Sequence, residues 1–387
     1  MLTSSNEQVK TGKMKRMNYR ILGKTGLKVS QLGFGAMRLP MRKSGEREIV
    51  DRDLAVPMIH AAFDAGVNYI DTAVGYCHED SQRAVGDALK GRRDGIIVST
   101  KNPYFGPDEK EWRKHLENSL ERLQISSIDI YNHHGIRWQT YTDEIQPRLG
   151  KWMIRARDEG LIKHICVSFH DNNDALRKVV DTGYPEVITL QYNLLDRQLE
   201  DGIAYAHSKG IGIVVMGPVG GGRLADETDA VRSMVPGITR IPELALRFVL
   251  SNPGVSIALS GMSGMQQVLE NIKTATDDTS LSAMDKDLLE AHMNRLKAFA
   301  DLYCTGCGYC KPCPKNVDIP AIFDAFNQGR TYGYWDRARQ LYEWYGYDKS
   351  KSTADACVEC GTCEAKCPQN IPIIKQLKEA HAALKKS

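Results

Sequence analysis

"SQLGFGAMRLP", residues 30–40, decides between two architectures. It is a short apolar run entering a glycine turn, and it heads a long series in which such runs alternate with amphipathic stretches. That alternation demands a parallel sheet, because each strand is followed by a crossover helix. An open doubly wound sheet would place Gly-x-Gly-x-x-Gly after its first strand. Gly33-Phe34-Gly35 runs instead into Ala36-Met37-Arg38, which lacks that spacing. Seven further runs follow: "VNYIDTA", "GIIVSTK", "IDIYNHHG", "KHICVSF", "EVITLQYN", "GIGIVVMG" and "GVSIALSG". Helical patterns such as "DLAVPMIHAAFDAG", "EKEWRKHLENSLERLQ", "EIQPRLGKWMIRARDEG" and "EDGIAYAHSKG" lie between them. Eight strand–helix units in roughly 250 residues have the count and size of a (β/α)8 TIM barrel, expected over residues 18–280.

The chain has 387 residues, enough for such a barrel and a second small domain. A net charge of +3 with interspersed signs provides no basic stripe, which argues against a nucleic-acid binder. No run approaches the ~18 apolar residues of a membrane helix. Residues 1–17 carry charge without an apolar stretch, so they read as a disordered tail rather than a secretory signal, with Met14 or Met17 as candidate starts.

Of ten cysteines, eight fall in two tight groups near the C-terminus, a distribution that suits metal ligation in a reducing, cytoplasmic compartment. The first group, "CTGCGYCKPCPKNVDIP", holds Cys304, Cys307, Cys310 and Cys313, each separated by two residues. The second is Cys357-x2-Cys360-x2-Cys363-x3-Cys367-Pro, the ferredoxin run whose fourth cysteine serves the other cluster. Both runs continue into Pro-x-Asn-Val or Pro-x-Asn-Ile, the mark of a duplication. Two [4Fe–4S] clusters are therefore expected. One would be held by Cys304, Cys307, Cys310 and Cys367, and the other by Cys357, Cys360, Cys363 and Cys313. Zinc, which favours paired Cys-x-x-Cys units across a loop, fits less well. Residues 281–303 read as a connecting helix and 304–387 as a small, mainly α-helical, ferredoxin-like domain. The aromatic-rich segment "TYGYWDRARQLYEWYGYDK" between the runs reads as packing around the clusters, with a docking surface for a redox protein as the sharper alternative.

In a barrel, reactive groups come from the C-terminal ends of strands. Those ends supply Asp71 in "NYIDTAVGY", Tyr76 just beyond it, Lys101 in "IVSTKNP" and His134 in "DIYNHHG". These types suit carbonyl reduction. Hydride arriving at carbon leaves negative charge on oxygen, which needs a proton donor within hydrogen-bond reach. A phenol can donate, a neighbouring ammonium is expected to lower its pKa, and a carboxylate behind holds the lysine charged. Histidine can fix the carbonyl oxygen.

The opening "YRILGKTGLKVSQLGFGAMRLP", the "DTAVGY" segment, the lysine of "STKNP" and the histidine of "DIYNHHG" resemble the aldo/keto reductase family over nearly the whole barrel. The cysteine tail resembles the ferredoxin-bearing branch of that family. The resemblance implies that Asp71, Tyr76, Lys101 and His134 form a catalytic tetrad. His134 is preferred over His133 because the family's histidine falls five residues after the aspartate that here is Asp129; His133 would face the other side of the strand. It also implies that a nicotinamide nucleotide, NADP or NAD, reacts with a small carbonyl or alcohol substrate. Ser168 and Gln191 would hold the nicotinamide carboxamide, although Phe169 replaces the asparagine that usually follows the serine. Met216 stands where many members stack an aromatic ring. Gly217 to Gly222, with Gly220 among them, would cover the pyrophosphate. Ser263, Gln267, Glu270 and Asn271 would lie nearest the adenosine, with Gly261 and Gln267 where a lysine and arginine often grip a 2′-phosphate. Cys77, in place of the family's glycine, and Cys166 read as buried thiols.

No flavin fingerprint is evident, although a flavin is the usual converter between a two-electron hydride donor and one-electron clusters. A redox-sensing or electron-transfer subunit that binds nicotinamide with little turnover is therefore the alternative function.

Overall fold

The structure, a computed structural model, describes residues 16–220, 224, 234–276, 281–298, 304, 310–347, 352–367 and 371–385. Gly222, Cys307 and most of the N-terminal tail lie outside the described residues, whereas Met17 is buried. The chain divides into two compact units, Met1–Gly220 with Ala245–Ser280 and Gly221–Leu244 with Leu281–Ser387.

The first unit is a closed, all-parallel barrel of eight strands: β1 Leu32–Gly35, β2 Tyr69–Asp71, β3 Ile97–Asn102, β4 Ile128–Ile136, β5 Ile162–Phe169, β6 Val187–Gln191, β7 Gly212–Met216 and β8 Ile257–Gly261. Each strand expected from the sequence is present. They close in chain order because right-handed crossovers pack each helix back onto the outside of the sheet. Capping chemistry starts several of those helices. Asp51, Asp108 and Asn172 each accept a hydrogen bond from a backbone N–H at the start of Arg52–Asp64, Glu109–Leu123 and Asn173–Asp181. The helical stretch after β4 widens into a π-helical segment, Tyr141–Leu149, around Pro147, which has no N–H to give an α-helical ladder.

Barrel interiors are filled in layers. The lower layer here is apolar: Tyr69, Ile97, Ile130, Cys166, Val187, Val214 and Ile257 converge on one cluster. An antiparallel hairpin, Tyr19–Ile21 with Lys28–Ser30, joins this cluster through the fully buried Leu22 and Val29. Its turn runs so close to the start of β7 that a Cβ on Gly23 would meet the Gly212 nitrogen at 2.3 Å. Only glycine fits there, and only glycine accepts its φ of +50° without strain. A second ribbon, Met41–Ser44 with Arg47–Val50, follows β1. Neither ribbon was expected from the strand–helix alternation.

The second unit is mainly helical. Helices Ile319–Tyr332 and Ile373–Leu384 each begin a few residues beyond a cysteine run, and they pack against one another, as a duplicated unit should. With helix Trp335–Tyr347 they bury Phe323, Phe326, Tyr342, Tyr345 and Leu377. The two runs are tied by a bridge between Val317 and Ser352. Of the aromatics between the runs, Tyr342 and Tyr345 join this core, whereas Trp344 and Tyr347 are exposed.

Candidate functional site

Above the apolar layer the barrel interior turns polar. Asp71 ends β2 and Lys101 lies near the end of β3, and both side chains are almost wholly buried. Burying one charge alone is very unfavourable, so each must be paired and hydrogen-bonded. Lys101 Nζ donates to Asp71 Oδ1 at 2.6 Å and to the Thr72 carbonyl at 2.9 Å. Asp71 Oδ2 accepts from the Ser99 hydroxyl at 2.8 Å, and Ser99 in turn accepts from Asn132 at 3.2 Å. Burial alone would lower the Lys101 pKa. Asp71 and Tyr76 outweigh it and hold the ammonium above its ordinary value.

Tyr76 lies just beyond β2, its ring centroid 4.8 Å from Lys101 Nζ. The His134 ring meets it edge-on at 6.3 Å. The segment that follows is unusual, since Cys77, His78 and Glu79 all have left-handed φ, a conformation that non-glycine residues hold only when their surroundings impose it. Asp80 pins its far end, accepting from Val50 N at 2.8 Å and from Arg52 at 2.9 Å. The second ribbon thus positions the tyrosine loop. Cys77 is only half-buried, its thiol 3.5 Å from the Met37 carbonyl, whereas Cys166 is fully buried as expected.

One electrostatic expectation is corrected. Lys101 does favour the Tyr76 phenolate, but burial outweighs that attraction and Asp71 opposes it, so the phenol lies above its ordinary value. Burial, followed by the charge of Lys101, brings His134 down to about 4 and keeps the imidazole neutral near pH 7. The Tyr76 hydroxyl hydrogen-bonds with Lys101, whereas the His134 ring has no protein hydrogen-bond partner among the described residues. His133 faces elsewhere, bonded to the Tyr184 hydroxyl at 2.8 Å.

Around the barrel mouth, Ser168 is buried on β5 and Gln191 and Met216 end the neighbouring strands β6 and β7. Gly217 has φ +64°, and a Cβ there would come within 3.1 Å of the Gln191 amide. Gly220 N donates back to the Gly217 carbonyl at 2.9 Å, closing a tight turn. Gln191 has no side-chain hydrogen bond within the protein among the described residues. A free amide, a buried hydroxyl and a tight turn that begins and ends on glycine suit an amide-bearing ring followed by phosphates.

The group nearest the expected adenosine is tied internally. Gln267 accepts from Ser263 N, the Ser263 hydroxyl donates to the Arg38 carbonyl, each at 2.8 Å, and Asn271 donates to Ser260 at 3.0 Å. Glu270 accepts from Gln266 at 2.8 Å. The carbons of Arg38 lie over Gly261, 3.4 Å from where a Cβ would be. Sequence reasoning missed one residue at the mouth, His170, whose Nε2 lies 3.4 Å from Ser168 Oγ. Strand alternation from Ser168 could have found it.

In the second unit Cys310, Cys313, Cys357, Cys360 and Cys363 line one cavity, together with Val317, Ile319, Ile374 and Leu377. Cys304 and Cys367 pack against the same apolar core. Among the described residues no three potential ligands converge as a single-ion site. Thiols spread around an apolar cavity suit a cluster, whose ligands sit at separate corners.

Comparison with known proteins identifies the family. Residues 31–293 match the aldo/keto reductase family, and residues 303–371 match a 4Fe-4S dicluster domain. The L-galactose dehydrogenase of Arabidopsis thaliana is 30% identical, with 71% of this chain and 93% of that protein aligned. The NADH-specific methylglyoxal reductase of Escherichia coli is 27% identical over 69% of this chain and 96% of its own. The holo form of an aldo-keto reductase from Bacillus halodurans superimposes with a TM-score of 0.63 at 28% identity, covering 72% of this chain and 96% of that one. Those relatives are nearly used up by the alignment, which leaves over a quarter of this chain unmatched. The chain is an oxidoreductase that belongs to the aldo/keto reductase family and carries, in addition, a 4Fe-4S dicluster domain.

Proposed function

We propose that the barrel interconverts an aldehyde or ketone and its alcohol, using NADH or NADPH. The observation that carries this reading is the chain of contacts from Tyr76 to Lys101 to Asp71, with the His134 ring, which has no hydrogen-bond partner among the described residues, edge-on to Tyr76. A bound reduced nicotinamide supplies hydride to the carbonyl carbon. Tyr76 donates its phenolic proton to the carbonyl oxygen, so that one hydride and one proton give the alcohol. Lys101, held charged by Asp71, stabilises the phenolate left behind. Neutral His134 orients the carbonyl oxygen. Ser168 and Gln191 would hold the carboxamide of the ring, and the Gly217–Gly220 turn the phosphates.

The cysteine runs would hold two [4Fe–4S] clusters. The shared cavity places Cys310 and Cys313 of the first run with Cys357, Cys360 and Cys363, and the ferredoxin pattern, in which the last cysteine of a run serves the other cluster, favours Cys313 as the fourth ligand. Because clusters move single electrons and a nicotinamide moves a hydride, coupling between the two units requires a converter, such as a flavin or a redox protein.

The test is anaerobic purification of the full chain with counts of iron, sulfide, zinc and flavin, followed by carbonyl-dependent oxidation of NADH and NADPH. Turnover that is lost in Tyr76→Phe supports the reading, and turnover unchanged by it refutes the assignment. Nucleotide binding with no turnover of any carbonyl would assign the barrel to redox sensing, and zinc in place of iron and sulfide would remove the clusters.

A further inference from the structure

We infer that His170 is a cofactor-binding residue, supplying with Ser168 the hydrogen-bonding pair that grips the nicotinamide carboxamide. This inference rests on reading the barrel as a nicotinamide nucleotide site.

The family's usual asparagine is replaced here by Phe169, which would leave one side of the amide without a partner. A phenyl ring has no donor or acceptor to offer, and the residue that follows it has both. Strand β5 continues through Phe169, so successive side chains alternate between its two faces. Phe169 is fully buried, while Ser168 and His170 lie on a common face with Oγ and Nε2 3.4 Å apart. The backbone fixes His170 from the other side, its N–H donating at 2.9 Å to the carbonyl of Ile136, at the end of the strand that carries His134. Its side chain is exposed, and among the described residues Ser168 is the only hydrogen-bond partner of its ring.

A primary amide presents an N–H2 that donates and a carbonyl that accepts, so a complementary site needs both an acceptor and a donor. Neutral imidazole offers one of each, and a serine hydroxyl can complete either tautomer. The surroundings keep the ring neutral: packing around it, then the positive charges of Arg137 and Lys101, hold His170 below the ordinary histidine value. Gln191 lies on β6, next to β5, and could approach the same amide from there.

The test compares NADP+ and NAD+ with their 3-acetylpyridine analogues, in which a methyl replaces the amide N–H2. Equilibrium dissociation constants are measured on the anaerobically prepared full chain, its His170→Phe and His170→Asn variants, and Ser168→Ala, with unfolding midpoints alongside. The wild type should prefer the amide by about tenfold, in keeping with one or two hydrogen bonds to an otherwise buried polar group. His170→Phe should reduce that preference to about twofold or less while leaving analogue affinity nearly unchanged, and His170→Asn should restore part of it. A merely structural role would weaken amide and analogue equally, which would overturn the inference. An undiminished preference in a folded His170→Phe would also overturn it. Should that variant fail to fold, His170→Ala allows the same comparison. Failure of the wild type to bind any of the four nucleotides would refute the nucleotide reading itself, a distinct result.

Discussion

Lys101 Nζ and Asp71 Oδ1 are 2.6 Å apart inside the barrel, in a position where neither charge has access to solvent. Removing one partner strands the other. Lys101→Met should destabilise the protein by about 3–5 kcal/mol, because an uncompensated buried carboxylate remains. The double variant Lys101→Met with Asp71→Asn should recover most of that stability and none of the carbonyl reductase activity. Denaturant titrations of the three proteins, followed by turnover assays on each, check both halves of the statement.

Tyr76 and Lys101 serve different ends in the proposed chemistry. Tyr76→Phe keeps the ring beside the ammonium but removes the proton donor. Carbonyl reduction should fall by about 10²–10⁴-fold, the usual worth of general acid catalysis, while nucleotide affinity stays within about twofold. Steady-state kinetics and a binding titration separate the two quantities.

The pKa directions set the pH behaviour. Burial holds the Tyr76 phenol above its ordinary value, so the acid form persists into alkaline solution. Carbonyl reduction should therefore show no loss of kcat/KM between about pH 6 and 9 from this group. Stability responds at the other end. Burial lowers His133 to about 3 and His134 to about 4 in the folded protein. The unfolded chain, with ordinary histidines near ~6.5, binds the extra protons first as pH falls. Stability contributed by the neutral rings is present above about pH 6.5 and is lost progressively below it. His134→Asn, which cannot titrate, should lose less stability between pH 7 and pH 4.5 than the wild type does, as read from urea midpoints.

The cavity lined by Cys310, Cys313, Cys357, Cys360 and Cys363, with the rule that the last cysteine of a run serves the other cluster, assigns Cys313 to the second run. Cys313→Ser should abolish the same cluster signal as Cys360→Ser, with loss of about half the iron and sulfide, although the two cysteines come from different runs. Electron paramagnetic resonance of the reduced proteins, with iron and sulfide counts, provides the comparison. Loss of different signals in the two variants would refute the exchange of ligands between runs.

Much of the barrel was legible because its signals are local. A strand reads as a short β-branched run, a crossover helix as an amphipathic stretch, and eight repeats of the pair allow few closed arrangements. The hairpin Tyr19–Ile21 with Lys28–Ser30 was not legible, since its purpose is to cover the apolar interior layer at Leu22 and Val29, a surface that exists only after closure. His170 was missed for a related reason. Alternation from Ser168 points to it, but β5 ends at Phe169, and only the folded chain sets the His170 ring 3.4 Å from the Ser168 hydroxyl.

The amino-acid sequence by itself determined the succession of strands and helices, the cysteine spacing with its duplication, and the residue types available at the strand ends. Those properties follow from periodicity and spacing along one chain. The tertiary structure decided the quantities that depend on surroundings. It raised the Tyr76 phenol where a nearby ammonium alone would have lowered it, because desolvation inside the barrel exceeds the attraction of Lys101. It buried Phe169 and set His170 beside Ser168, and it gathered Cys310 and Cys313 with the second cysteine run. Burial and proximity between distant segments are properties of the folded chain, and at this site they set both the charge states and the groups available to a ligand.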